Sequence, residues 1–142
     1  MRGIEFRGRK TQQDCRWIYG SLLSFRDGDM QICEQCSSNM QLSRQWVISS
    51  TVGQHTGLKD KNGVKIFEGD IIKVENSWLL GKTLIGKIKW EPCGFWFEYT
   101  NPFHGGGGLC GLSMPDRVVT TVIGNVHENP ELLETGEPFG DK

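Results

Sequence analysis

The chain has 142 residues, of which 37% are hydrophobic and 23% are charged, and its formal net charge is −1. This length suits one domain, and this apolar content is enough for a core, which excludes wholesale disorder. The sequence contains no alanine, whereas glycine and proline together account for 24 residues. A chain that lacks the best helix former and is rich in helix breakers is not expected to form a helical bundle. The near-zero net charge provides no global attraction to nucleic acid or to anionic lipid.

Two further classes are disfavoured by the absence of long apolar runs. No run approaches the ~20 residues of a membrane span, and the opening MRGIEFRGRK contains no apolar signal-peptide segment. We therefore expect a soluble, cytoplasmic protein with no membrane contact. The five cysteines, an odd number, would remain thiols in that reducing compartment. The basic first ten residues and the acidic residues 127–142 could pair within a chain or between subunits, or they could both be solvated ends.

Short apolar runs separated by turn residues every ten residues or so predict an all-β sandwich or barrel. A first strand is predicted at residues 4–7 and a second at 16–23, which reads RWIYGSLL. The polar stretch 26–45 predicts a loose hairpin whose strand pairing the sequence leaves open. Another strand is predicted over 45–52. Residues 53–63 are dense in turn formers and predict a connection.

The next segment has the clearest pattern. Asn62-Gly63 is a strong hairpin signal, because both residues tolerate positive φ. A strand at 64–67 and another starting at 71 are predicted on either side of the turn Glu68-Gly69-Asp70. Paired carboxylates can perform acid–base chemistry or bind a hard cation. Here we expect Glu68 and Asp70 to bind backbone amides and to set the entry of the next strand.

The last third predicts a hairpin, a loop, a strand and a helical turn. Strands over 83–90 and 95–99 flank a short turn, and the run Gly105–Gly108 predicts a flexible loop within 101–115. A late, β-branched strand is predicted over 117–126. One helical turn is then expected, with Asn129 as its cap and Pro130 in its first position.

One cysteine pair has metal-ligand spacing. Cys33 and Cys36 form a CxxC, which supplies two of the four ligands of a zinc site. The sequence has no second pair at similar spacing, and no helix or βαβ pattern follows that would favour redox chemistry. We therefore expect no metal or other cofactor, and Cys33 and Cys36 are the zinc candidates if one binds.

Aromatic residues form the remaining signal. Phe95, Trp96 and Phe97 are consecutive, so in a strand Trp96 lies on the face opposite to the two phenylalanines. With Lys82, Lys87 and Lys89 nearby, Trp96 could form a stacking surface for single-stranded nucleic acid. The same residues could equally serve as core or subunit contacts, in which Trp and Tyr are enriched.

Several blocks of the chain resemble the YopX family of phage and prophage proteins. They are IEFRGRK near the start, CRWIYGSLL, the long central block VGQHTGLKDKNGVKIFEGDIIKV and the closing VIGNVHENPELLE. The resemblance implies a mainly β fold around a small, partly SH3-like barrel and a bacterial or phage genetic context. It implies no known activity and therefore no catalytic residues.

We accordingly expect one YopX-like β domain over 1–135 and a tail over 136–142. The predicted function is a non-enzymatic module that forms a homo-oligomer or binds another protein. The alternative is a nucleic-acid-binding accessory protein of a phage or mobile element.

Overall fold

A computed structural model describes residues 4–11, 16–35, 42–77, 79–92, 94–101, 104–109, 112 and 118–133. The chain forms two compact units, residues 1–55 and residues 56–142. The division lies within one strand, after His55. The expected tail at 136–142 lies outside the described residues.

The described residues of the first unit form four strands and the start of a fifth. They are β1 (Phe6–Arg9), β2 (Trp17–Ser24), β3 (Met30–Gln35), β4 (Leu42–Val47) and β5 (Gly53–Lys59). Their order in the sheet is β4-β3-β2-β1-β5. The pairing that the sequence left open is antiparallel between β3 and β4, with Met30 opposite Val47. The expected hairpin within 26–45 is therefore confirmed.

The core of the first unit follows from the alternation along β2. Ile18 and Leu22 point to one face, where Ile18 joins Ile32 and Val47 in a buried cluster. Because side chains alternate across a strand, Trp17, Tyr19, Ser21 and Leu23 point to the other face. The strand therefore has one apolar face and one aromatic and polar face.

The expected strand over 45–52 is wrong in its second half. Strand β4 ends at Val47, and a 3-10 turn follows at Ser49–Thr51. The Thr51 side chain has both hydrogen-bonding roles there: its hydroxyl donates to the Ile48 carbonyl (2.6 Å), and its oxygen accepts from the Arg9 amide (2.9 Å). This local side-chain bonding offers the backbone an alternative to the sheet ladder.

The second unit contains the remaining strands of the described chain. They are the end of β5, then β6 (Lys65–Phe67), β7 (Asp70–Glu75), β8 (Leu84–Glu91), β9 (Gly94–Asn101), β10 (Gly105–Gly108) and β11 (Val119–Asn125). Five of them form an antiparallel sheet in the order β10-β9-β8-β7-β11, and β6 lies beside β5. The buried cluster of this unit includes Ile72, Ile88 and Phe97.

The connection predicted over 53–63 is shorter than expected, because Gly53–Lys59 is strand β5. The turn is confined to the residues around Asn62-Gly63. Asp60 holds it, since its Oδ1 accepts from the amides of Asn62 (2.8 Å) and Val64 (2.9 Å). Turn-forming residues in β5 such as Gly57, at φ 92°, are accommodated within the strand.

The glycine run is not the predicted loop but strand β10, paired with β9 from Gly105 opposite Tyr99 to Gly108 opposite Trp96. The glycines leave room for two rings: a Cβ at Gly105 would overlap Tyr99, and a Cβ at Gly106 would overlap Trp96. Rings packed over glycines in this way compensate for the poor strand propensity of glycine. The missing side chains are therefore replaced by aromatic neighbours on β9.

The predicted helical turn is confirmed as a 3-10 turn at Pro130–Leu133. The predicted cap forms differently. The Asn129 side-chain oxygen accepts a hydrogen bond from the backbone amide of Asn125 (3.2 Å), which precedes the 3-10 turn. Within the turn, the Leu132 amide donates to the backbone carbonyl of Asn129 (3.1 Å). Asn129 therefore closes the preceding turn.

The mainly β prediction is confirmed, with two antiparallel sheets and short 3-10 turns. The strand pairings of the described residues do not close a barrel, so the small SH3-like barrel stays a prediction. In the part of the chain that the structure describes, no helix has the length and apolar character needed to cross a bilayer.

Candidate binding surfaces

The surface predicted around Trp96 forms in part. Lys87 and Lys89 on β8 pair across the strands with Glu98 and Trp96 on β9, so these four side chains share one face. Trp96 is 36% exposed, whereas Phe97 is fully buried on the opposite face. Lys82 does not join them, because it precedes β8 at the end far from Lys89.

The lysines of this surface are compensated by carboxylates. Lys89 Nζ lies 3.1 Å from both Glu91 and Glu98, and Lys87 lies 3.6 Å from Glu98. The hydrogen bonds to Glu91 and Glu98 raise the pKa of Lys89, and the Lys89 hydrogen bond lowers the pKa of Glu98 despite its partial burial. A phosphate at this surface would have to compete with these carboxylates, so the Trp96 surface is a weak candidate for nucleic acid.

One edge of the second sheet, as the described strands define it, adjoins the same surface. Strand β10 is at one end of the sheet order and β11 at the other. Trp96 leans over Gly106, while a Cβ at Gly107 or at Gly108 would meet no atom within 4 Å. The backbone of β10 is therefore paired with β9 on one side, and the sheet faces at its last two residues are open.

A second surface lies on the outward face of the first sheet and was not predicted from the sequence. Ladder pairs place Arg7 opposite Tyr19, Arg9 opposite Trp17, Cys33 opposite Arg44 and Gln31 opposite Trp46. We call it the aromatic–arginine face, defined by its arginine and aromatic side chains: Arg7, Arg9, Arg44, Trp17, Tyr19 and Trp46. These residues are separated in the sequence, and only the register of four strands brings them together.

The aromatic side chains of this face differ in exposure. Tyr19 is 45% exposed and Trp46 is 46% exposed, and Phe25, just beyond β2, packs against Trp46 with ring centroids 5.5 Å apart. The Trp17 ring instead contacts the Arg7 guanidinium, 4.6 Å from its centroid, and Arg7 is itself buried. The accessible part of the face is therefore the part on β2 and β4.

The same part of the face borders a cleft of about 880 Å³, lined by Glu5, Tyr19, Gly20, Ser21, Leu23, Cys33 and Arg44. This volume is within the ~300–1,000 Å³ typical of small-molecule sites. Glu5 supplies a carboxylate beside β1, and Arg44 supplies a guanidinium on β4. Because three strand spacings separate β1 from β4, the backbones that carry these two charged side chains are about 14 Å apart across the sheet.

The predicted zinc ligands can be followed only in part. Cys33 is a half-buried free thiol that lines this cleft, and Cys36 lies outside the described residues. Among the side chains that the structure describes, no three His, Cys, Asp or Glu residues are grouped as metal ligands.

The carboxylate pair has the structural role that was predicted for Asp70. This residue is 2% exposed, and its Oδ2 accepts from the Phe67 amide at 2.7 Å across the turn. The bond fixes the entry into β7. Asp60, the acid that precedes this pair in the sequence, also binds backbone amides: its carboxylate accepts from Asn62, Val64 and Val122.

Known proteins resemble the chain over nearly its whole length. Residues 5–134 match the family model described as YopX protein. The crystal structure of protein EF1440 from Enterococcus faecalis is similar, with a TM-score of 0.58 and 26% sequence identity over 92% of this chain and 97% of that chain. A search of curated proteins finds no match. Because the family match covers both units, the chain belongs to the YopX family.

Proposed function

We propose that this protein is a non-enzymatic β module of phage or prophage origin that self-associates in the bacterial cytoplasm, with strand β10 as the interface. The observation that carries the proposal is the four-glycine edge strand Gly105–Gly108. An edge strand presents unpaired N–H and C=O groups, which are a template for another strand. Proteins ordinarily guard such edges with charged side chains, proline or bulges, and β10 has none of these.

The surroundings of β10 favour a second copy of the same strand as the occupant. The four residues of β10 carry no side chains that could hinder a partner strand, and the faces of the sheet are open at Gly107 and Gly108. Trp96 lies beside the strand and offers an exposed ring as an apolar contact. Antiparallel pairing of β10 with its symmetry mate would join two five-stranded sheets through an isologous, two-fold interface.

The non-enzymatic part of the proposal is supported by what the carboxylates do. Asp60 and Asp70 bind backbone amides, and Glu91 and Glu98 pair with Lys89. Asp60 and Asp70 thereby fix backbone turns, and all four acids are engaged in hydrogen bonds or ion pairs that a general acid or base would have to give up.

The test is light scattering on the full chain with a charge placed on the edge. We expect the wild type to have at least twice the 16.0 kDa of one chain and Gly107→Lys to have the mass of one chain. A lysine on an edge strand blocks strand addition, and this position has room for it. The matched control is Val119→Lys on β11, the opposite edge of the same sheet, which should leave the assembly intact.

Two results would overturn the proposal. A wild-type chain that is monomeric at every concentration tested would remove self-association altogether. An assembly that survives Gly107→Lys but is lost in Val119→Lys would move the interface to β11.

A further inference from the structure

The aromatic–arginine face lies in a part of the chain with its own charge balance. Residues 1–55 contain seven Lys and Arg against five Asp and Glu, which gives a net charge of +2. Residues 56–142 contain nine against twelve, which gives −3 and accounts for the net −1 of the chain. The near-neutral total therefore conceals a basic first unit. A polyanion that reaches this unit meets a positive charge that the overall composition does not reveal.

The accessible side chains of this face are of two kinds. Tyr19, Phe25 and Trp46 expose rings, and Arg44 on β4 exposes a guanidinium. Arg9 is half-buried on β1, where its guanidinium lies 6.0 Å from the centroid of Trp17. Rings and guanidinium groups placed together on a sheet provide surfaces for stacking bases and cations for phosphates. This combination is absent from the Trp96 surface, where Glu91 and Glu98 neutralise the lysines.

We propose that the aromatic–arginine face binds single-stranded nucleic acid, with bases stacked on Tyr19, Trp46 and Phe25 and phosphates at Arg44 and Arg9. A single strand is specified because bases must be unstacked from one another to lie on side-chain rings. Tyr19 and Trp46 are two strands apart in the sheet, so a segment of several nucleotides is needed to contact both. The site is separate from the β10 edge and does not depend on the self-association proposed above.

Among the described residues that line the cleft, Glu5 is the carboxylate, and it limits where the phosphates lie. Its backbone adjoins β1, about 14 Å from the backbone of Arg44 across the sheet. A phosphate held at Arg44 on β4 is therefore farther from Glu5 than one held near β1, and salt screens part of the remaining repulsion. The nucleic-acid backbone is therefore placed toward β4, and the bases are placed over the cleft and the exposed rings.

The experiment measures the fluorescence anisotropy of a labelled oligothymidylate of about 15 nucleotides, within the usual site size, as the full chain is added at about 50 mM salt. We expect saturable binding that weakens as salt is raised. Trp46→Ala should weaken binding by about 5- to 150-fold, the effect of losing one stacking ring. Arg44→Ala should lower the slope of log affinity against log salt by about 1.

Matched variants separate binding from folding. Trp90→Ala removes a ring of similar exposure (54%) from β8 in the second unit and should leave the affinity unchanged. Trp46→Phe keeps a ring and should retain most of the affinity that Trp46→Ala loses. Thermal unfolding of each variant, monitored by circular dichroism, shows whether the variant is folded. If Trp46→Ala is not folded, the salt dependence of Arg44→Ala and the affinity of Trp46→Phe still test the binding site.

Three outcomes would overturn this proposal. The first is no binding at about 50 mM salt, and the second is an equal loss of affinity in Trp90→Ala and Trp46→Ala. The third is a Trp46→Ala chain that loses self-association while the wild type binds no oligothymidylate, which would make this face a protein interface. The Gly107→Lys chain distinguishes the two proposals, because it should be monomeric and still bind the oligonucleotide.

Discussion

The carboxylate of Asp60 accepts a hydrogen bond of 3.0 Å from the backbone amide of Val122, which is 62 residues further along the chain. The same side chain accepts from the amides of Asn62 and Val64 within its own turn. It therefore ties the turn between β5 and β6 to strand β11. A second bond, from the Lys61 amide to the Thr120 carbonyl at 2.9 Å, reinforces this connection.

Removing this carboxylate is expected to destabilise the second unit. Asp60 is 8% exposed, so Asp60→Ala leaves three amides with little access to water. Hydrogen bonds to charged groups contribute ~1.5–3 kcal/mol each, and partial rehydration lowers the sum, so we expect a loss of about 3 kcal/mol. Urea unfolding measures it. The control is Asp27→Ala. Asp27 is exposed and its carboxylate accepts a hydrogen bond from the backbone amide of Asp29, so this substitution should cost under about 1 kcal/mol. Equal costs for the two variants would contradict the role given to Asp60.

The same residue predicts a dependence of stability on pH. Burial raises the pKa of Asp60, but the amides of Val122, Val64 and Asn62, with the charge of Lys61, lower it by more, so the net pKa lies below its ordinary value. A carboxyl whose pKa is lower in the folded state contributes stability above its unfolded pKa and loses it as pH falls through the folded pKa. We therefore expect the free energy of unfolding to decline from about pH 5 downwards.

The Asp60→Asn variant checks that this decline belongs to Asp60. It lacks the titrating group, so its free energy of unfolding should be lower near neutral pH and fall less steeply on acidification. Glu98, whose pKa is lowered chiefly by its hydrogen bond to Lys89, contributes in the same direction. Glu98→Gln measured in parallel separates the two contributions. An Asp60→Asn curve parallel to that of the wild type would refute the assignment.

The glycine strand predicts unequal effects of four chemically identical substitutions, of which Gly105→Ala and Gly107→Ala are the extremes. A Cβ at Gly105 overlaps the ring of Tyr99, which is largely buried in the core, whereas a Cβ at Gly107 meets nothing. Overpacking of this kind costs ~1–3 kcal/mol, while alanine at an open strand position is expected to change stability by ~0.5 kcal/mol or less. Thermal unfolding of the two variants compares them directly, and similar midpoints would contradict the pairing of β10 with β9.

Local patterns predicted most of the strands, and the failures have identifiable causes. The alternation in RWIYGSLL and the hairpin signal Asn62-Gly63 act within a few residues, and both were confirmed. Strand β10 was missed because glycine has no intrinsic strand preference. What makes these residues a strand is the packing of Tyr99 and Trp96, which lies on a neighbouring strand.

The binding surfaces were harder to predict for the same reason. Trp96 and Lys89 are seven residues apart and were grouped correctly, but the carboxylates that neutralise the lysines were not anticipated. The aromatic–arginine face needs the register of β1 with β2 and of β3 with β4, which places Arg9 opposite Trp17 and Arg44 opposite Cys33. Register depends on the whole sheet, so a short sequence pattern does not contain it.

Neighbouring aromatic residues on β9 provide the last prediction, because Trp96 and Phe97 point to opposite faces of one strand. Phe97 is fully buried and packs against Tyr99 with ring centroids 5.8 Å apart, whereas Trp96 is 36% exposed. Phe97→Ala leaves a cavity and is expected to cost ~3–5 kcal/mol. Trp96→Ala removes a ring that is partly in water, so it should cost under about 1.5 kcal/mol. Urea unfolding of both chains gives the comparison. A Trp96→Ala cost as large as that of Phe97→Ala would mean that Trp96 belongs to the core, and it would then no longer serve as an exposed contact beside β10.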